Sequence, residues 1–313
     1  MNLTVQISRG GTVYIPAVTG GAVWETETDG APGRFAFSVR DEPGLRIGEG
    51  DAVSVTMDGG PVFYGYIFTR RTDQTGAVHI TAYDQTRYLK NRDTYVYDGV
   101  TASALLRRVA ADHGLKTGAV DDTAVLLEPC AEDNKSLADI LRNALARTGQ
   151  MGGGRFVLYD DFGALTLKRA GDMRRGLWIG ADSGQTFTRT LTIDRDTYNA
   201  VKLVCDRKTG RAVYTAADPQ NIQNWGKLQY FSKISDDFSG DARAAELLKL
   251  YNRERRELFA GGVPGDAAVR AGCSLVAGGA LTGEEGDTLC AVERARHLWK
   301  DGGYCMDLEL TYA

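Results

Sequence analysis

The stretch TLCAVERARHLWKDGGYCMDLELTY, residues 288–312, decides how this chain is read. Its centre, Lys300-Asp301-Gly302-Gly303, is a turn in which glycine takes the positive φ of a tight hairpin at little cost, so two long strands face each other across it. On the second strand Met306, Leu308 and Leu310 alternate with Asp307, Glu309 and Thr311, the period of two of a sheet with one buried face and one wet face. The same grammar occurs near the other end of the chain. Leu45-Arg46-Ile47-Gly48 precedes strands at 51–57 and 62–68 around Asp58-Gly59-Gly60, then an alternating strand at 77–83. Val269-Arg270-Ala271-Gly272 precedes the hairpin quoted above, and each series closes on an alternating strand with an aromatic near its end, Tyr83 or Tyr312. This echo predicts two related small β-barrel domains in one chain.

Working outward, Leu3, Val5 and Ile7, then Phe35, Phe37 and Val39, then Val78, Ile80 and Ala82 continue the alternation through the first ninety positions. The pattern changes after Gly99. Thr101 is placed to cap a helix carrying Leu105, Leu106 and Val109 on one face, with Gly114 at its end. Ser136-Leu137-Ala138-Asp139 is a capping-box variant opening a second helix with Leu137, Ile140, Leu141, Ala144 and Leu145 as its apolar stripe and Gly149 beyond it. Residues 155–159 and 164–168 flank Asp160-Asp161-Phe162-Gly163 as a hairpin, so the middle reads as an α+β insert. Strands resume at Leu191 and Ile193, then at Val201, Leu203 and Cys205, turning through Arg207-Lys208-Thr209-Gly210 into 212–215. Residues 241–258 read as the longest helix, buried along Ala244, Leu247, Leu248 and Tyr251. The expected organisation is mainly β with an α+β insert: a first barrel at 1–97, the insert at 98–190, and a second barrel at 191–313 that includes the long helix, with 191–240 shared in part with the insert.

Composition narrows the function. The 313 residues are 43% hydrophobic and 25% charged, with 38 glycines against 7 prolines, the balance of a turn-rich globular protein. A formal charge of -4 argues against a nucleic-acid coat, which needs clustered cations to neutralise phosphate. The five cysteines show no C-x-x-C spacing, so free thiols are expected rather than a zinc knuckle or a redox dithiol. The start Met1-Asn2-Leu3-Thr4-Val5 lacks the pattern of a signal peptide, and no run approaches the ~20 apolar residues that span a bilayer.

Catalytic patterns are absent. His79, His113 and His297 are scattered and read as structural. Gly152-Gly153-Gly154 continues into Arg155-Phe156 rather than into a phosphate-cradling Gly-Lys-Ser/Thr. Carboxylate pairs such as Asp121-Asp122, Asp160-Asp161, Asp236-Asp237 and Glu284-Glu285 fall in predicted turns, where acidic side chains cap amides. No cofactor or metal is implied. The basic run at 253–256, interleaved with Glu254 and Glu257, reads as a solvated or interfacial helix face.

Residues 78–91, Val-His-Ile-Thr-Ala-Tyr-Asp-Gln-Thr-Arg-Tyr-Leu-Lys-Asn, make a more specific run. With 133–148, 159–165 and 265–272, it resembles the baseplate hub proteins of contractile-tailed phages and phage-like particles, the late-control D and defective-prophage group. The resemblance implies a homotrimer in which each chain carries two related barrels, so that three chains adapt a six-fold tail tube to a three-fold central spike. It implies a virion or tail-like particle assembled in the bacterial cytoplasm, with tube and spike proteins as partners and tape-measure and wedge proteins beside them. Phage, bacteriocin and other contractile injection machines stay open. Subunit or tube contacts are expected at Val53, Val55, Phe63, Tyr64, Arg253, Arg256, Arg294, Trp299, Tyr304 and Tyr312. Two rivals are a peptidoglycan-active hydrolase using a carboxylate pair and a carbohydrate-binding β module using Trp225, Tyr230 and Trp299.

Overall fold

The computed structural model describes residues 2–312 except Asp29, Lys208, Thr209 and 235–238. The chain forms two compact units, residues 1–188 with 258–310, and residues 189–257 with 311–313. The predicted turn at Lys208-Thr209 and the pair Asp236-Asp237 lie outside the described residues.

β structure repeats along the chain. One series runs β1 (Leu3–Arg9), β2 (Val18–Glu27), β3 (Arg34–Arg40), β4 (Ala52–Met57), β5 (Gly60–Thr72) and β6 (Ala77–Tyr83). The other runs β7 (Arg174–Ile179), β8 (Thr186–Thr192), β9 (Arg255–Pro264), β10 (Ser274–Ala277), β11 (Thr288–Lys300) and β12 (Gly303–Tyr312). Spatial order is β1-β4-β5-β6-β3-β2 in the first and β7-β10-β11-β12-β9-β8 in the second, position for position the same. One orientation differs: β1 lies antiparallel to β4, whereas β7 lies parallel to β10. The echo read from the sequence is therefore a duplication of topology, and the two series are joined into one sheet by β2 pairing antiparallel with β11, from Arg294↔Glu27 to Trp299↔Ala22.

Alternation builds the core. Val5, Trp24, Phe35, Val53, Ile67 and Ile80, one from each of the first six strands, are buried in a single cluster that Trp299 also enters. Each fully buried side chain of this kind stabilises the fold by roughly 1.5–3 kcal/mol. In the first series the long strand missing from the sequence reading is β2, and in the second series β7 and β9 are missing likewise. The inward residues of β2, Ala22, Trp24 and Thr26, alternate, but Gly20 and Gly21 interrupt the pattern at a register shift between Thr19 and Ala22. Gly21 has φ +97°, and a Cβ there would lie 2.3 Å from the Trp299 carbonyl oxygen, so the bulge and the close approach to β11 both demand glycine.

The two helices expected in the middle of the chain form. Helices Ala102–Asp112 and Leu137–Gln150 bury Leu105, Leu106, Val109, Ile140 and Leu141 against Leu165 and Leu167 of the insert's strands. The Thr101 hydroxyl accepts from the Ala104 amide and the Ser136 hydroxyl from the Asp139 amide. Such caps contribute about 1 kcal/mol each.

The second unit has a three-stranded sheet. Its centre, Ala200–Arg207, is antiparallel to Gly210–Ala217 and parallel to Gln229–Lys233, and Ala244 and Leu247 of the helix Gly240–Tyr251 complete the core. That helix is shorter than the predicted 241–258. The chain is extended again from Arg255, where the Arg255 Nε donates to Glu257 Oε1 at 2.7 Å. Residues two apart face the same way on a strand and not on a helix, so the charge run belongs to β9 and its approach.

Candidate assembly surfaces

The β2–β11 junction is the most elaborated contact between the two series. His297 of β11 is fully buried, stacks on Trp24 of β2 with centroids 4.6 Å apart, and lies 5.9 Å from Trp299. Trp299 in turn stacks on Tyr304 at 4.7 Å. Burial pushes the His297 imidazole down to about 3, so the ring is neutral at ordinary pH. Its contacts then assign the tautomer: Nε2–H donates to the Val269 carbonyl at 2.9 Å, and Nδ1 accepts the Tyr304 hydroxyl at 2.8 Å. At the margin Arg294 reaches Glu25 at 3.5 Å and Glu309 at 3.5 Å, while Arg296 reaches Glu25 at 3.3 Å and Asp307 at 3.4 Å.

The first series has a counterpart to the histidine clamp. Arg70 of β5 donates through Nη1 to the Ile47 carbonyl at 2.7 Å, reaching back to the Leu45-Arg46-Ile47-Gly48 segment as His297 reaches back to Val269. The correspondence sets residues 67–72 of β5 level with 294–299 of β11.

The residues expected at contacts divide by environment. Val53, Val55, Phe63, Trp299 and Tyr312 are buried within this chain, and Tyr304 is partly buried. Tyr64 is half-buried and packs edge-on to Tyr66 and against Phe162. Arg294 is 40% exposed but engaged with Glu25, Glu27 and Glu309, Arg253 is exposed, and Arg256 is partly buried. The strands carrying most of these residues reach the surface through different side chains. Residues 69–72 of β5 are all exposed, and so are the first six of β8, with Phe187 at 51% and Leu191 at 55%. The sequence reading entered β8 only at Leu191. The earlier run Thr186-Phe187-Thr188, rich in β-formers, was the available signal.

One cleft of about 330 Å³ opens in the first unit, walled by Leu89, Leu145 and Phe156, with Asp84, Asp160 and Arg270 among its lining. Arg270, the arginine of the second echo segment, stacks 4.1 Å from the Tyr159 ring centroid and 5.8 Å from that of Trp24, and donates to the Asp160 carbonyl at 2.7 Å. Asp84 caps the turn beyond β6 by accepting from the Thr86 amide at 3.0 Å, and the Asp160 carboxylate accepts from the Gly163 amide at 2.7 Å. Burial raises both carboxyls; mutual repulsion raises Asp84 further, and the Arg270 charge opposes the rise in both. Asp160 is thus brought beside Asp84 rather than used with its sequence neighbour Asp161, which is exposed. Both acids are engaged in local caps, and the Arg270 hydrogen bond to the Asp160 carbonyl ties the insert to the β sheet. Among the described residues no group of three His, Cys, Asp or Glu is arranged to hold a metal ion. The five cysteines are free thiols.

Over residues 22–311 the sequence matches the family described as YQBQ-like. The phage-like element PBSX protein XkdQ of Bacillus subtilis (strain 168) is 29% identical over 237 residues, covering 72% of this chain and 71% of that one. The solved tail protein of Neisseria meningitidis MC58 has a TM-score of 0.71 at 15% identity, over 99% of this chain and 97% of its own. The E. coli c3393 protein, described as a type VI secretion component with structural similarity to the T4 tail proteins gp27 and gp5, has a TM-score of 0.56 at 9% identity over 100% of this chain and 77% of its own. At these identities the two structures establish a shared fold.

Proposed function

This chain belongs to the YQBQ-like family of phage tail and baseplate proteins, and from that premise we propose that it is the hub of a contractile tail or tail-like particle, a homotrimer that adapts a six-fold tube to a three-fold spike. The observation that carries the reading is the duplicated strand order within one chain. Three copies of a chain with two equivalent β modules present six modules around an axis, so a closed trimer offers one face to a hexameric ring and keeps three-fold symmetry for a spike. The protein's part is mechanical and non-enzymatic: it transmits load between tube and spike, with tape-measure and wedge proteins as neighbours, in a particle assembled in the bacterial cytoplasm. The buried rather than outward-facing positions of Val53, Val55 and Phe63 direct ring and tube contacts to the backbone edges and alternate side chains of their strands. Native mass spectrometry and averaged electron micrographs of the purified full chain test this. The expected result is a three-chain particle with six density lobes about its axis; a monomer at every concentration overturns it.

A further inference from the structure

The cleft of about 330 Å³ has one wall made by a strand that is paired on a single side. Phe156–Asp160 is an edge strand, antiparallel to Leu165–Arg169, and all five of its residues line the cleft. The Ala170 amide donates to the Arg155 carbonyl and the Asp161 amide to the Ala164 carbonyl, which fixes the alternation. Residues 155, 157, 159 and 161 bond towards the partner strand, and 156, 158 and 160 turn their amides and carbonyls the other way. On that open side Arg270 Nη2 donates to the Asp160 carbonyl, while the backbone groups of Phe156 and Leu158 have no partner among the described residues.

At the Asp160 end the cleft is polar. Asp84 and Asp160 are each 5% exposed. Asp84 Oδ1 holds the Thr86 cap, and Gly33 leaves room for Oδ2, since a Cβ there would lie 2.2 Å from it. Asp160 Oδ1 accepts from the Gly163 amide, whereas Asp160 Oδ2 and Arg270 Nε are buried with no hydrogen-bond partner among the described residues. The other charged groups of the lining have partners of their own: Arg142 with Asp139, Arg155 with Glu293 at 3.6 Å, and Glu27 with Arg294 at 3.9 Å. Two carboxyls then face one guanidinium, a set one positive charge short of balance.

We propose that this cleft binds an extended peptide segment of another protein, which adds as a strand to the Phe156–Leu158 edge and sets a lysine or arginine side chain against Asp84 and Asp160. An open edge takes up a strand through main-chain hydrogen bonds, and the pocket beside it selects the side chain. One occupant answers all of these groups. Its backbone serves Phe156 and Leu158, a carbonyl accepts from Arg270 Nε, its cation meets the acids, and Leu89, Leu145 and Phe156 enclose the apolar stem of that side chain. The site lies within one chain and goes beyond the trimer reading, so either can fail without the other.

The test is fluorescence polarisation of the full chain with labelled Thr-Val-Arg-Val-Thr, beside the same peptide with glutamine or glutamate in place of arginine. The expected result is saturable binding of the arginine peptide, about tenfold tighter than the glutamine peptide, and none of the glutamate peptide. Asp84→Asn with Asp160→Asn keeps the oxygens that cap Thr86 and Gly163 and should abolish the preference for arginine over glutamine. Leu158→Pro removes one outward amide and leaves the ladder to Leu165–Arg169 intact, so it should keep the parent melting temperature and weaken the arginine peptide about tenfold. Ala146→Trp starts from an exposed position on the helix Leu137–Gln150, fills the cleft and should eliminate binding, a readout that does not depend on the asparagine variants folding. No saturable binding at millimolar peptide, equal affinity for the arginine and glutamate peptides, or parent-like binding by Leu158→Pro or Ala146→Trp overturns the proposal. None of these outcomes alters the three-chain mass on which the hub reading is judged.

Discussion

β2 and β8 occupy the same station in two copies of one strand order, yet their surroundings are opposite. In β2, Trp24 and Thr26 are 3% and 7% exposed, a glycine bulge lets the backbone approach β11, and Glu25 meets three arginines, Arg34, Arg294 and Arg296. In β8 the first six residues face solvent. The two arginines of the echo segments diverge in the same way: Arg46 is exposed, whereas Arg270 sits between aromatic rings beside two buried carboxyls. Topology alone does not determine environment here; what packs on each edge does.

The sharpest way to break this comparison is to delete both arginines in turn. Arg270→Ala empties a buried site packed against two aromatic rings and leaves the Asp160 carbonyl without its donor, which is expected to cost about 3–5 kcal/mol. Arg46→Ala is expected to stay within about 0.5 kcal/mol, as exposed substitutions do. Denaturant titration of both variants decides it, and equal losses would erase the distinction. Next, Trp24→Ala empties a stacked, buried site and is expected to cost about 3–4 kcal/mol, whereas Phe187→Ala leaves chain stability within about 0.5 kcal/mol. Calorimetry on the pair checks that contrast. A smaller effect is expected from Gly21→Ala, about 1–3 kcal/mol, because the methyl meets the Trp299 carbonyl at a positive φ. Gly76→Ala, also at positive φ but with open space around it, should cost less.

The smallest expected effect is on pH dependence. Asp84 and Asp160 hold protons more tightly in the folded chain than in the unfolded one. Their favourable contribution is complete below the ordinary carboxylate value of about 4 and is lost as pH rises through their elevated folded values. Asp84→Asn keeps the side-chain oxygen that caps the Thr86 amide and removes one charge. Melting temperatures at pH 5 and pH 8 should therefore lie closer together in this variant than in the parent; an unchanged gap would show that the pair does not titrate in this range.

Much of the architecture was legible because it is written in local chemistry. Period-two alternation marked β1, β3, β6 and β12, Thr101 and Ser136 marked two helix starts, and the two apolar-Arg-apolar-Gly segments marked the repeat. β2 was hidden because the glycine pair that permits its bulge also interrupts its pattern. The helix ending at Tyr251 was drawn too long because interleaved Arg and Glu satisfy a helix face and a strand face equally well on paper. The assembly surfaces were harder. Aromatics and valines that looked like contact residues are core, and Asp84 meets Asp160 only through tertiary folding, across a separation that no sequence spacing reports.

Because β2 and β11 are parts of one polypeptide, their stoichiometry is fixed at translation and dilution cannot separate them. Such a seam is free to become idiosyncratic: a bulky indole, an uncharged imidazole and a glycine with no room for a methyl can accumulate there, since neither edge ever has to fit a stranger. β8, at the same station in the second series, has accumulated none of these and is a plain threonine-rich strand.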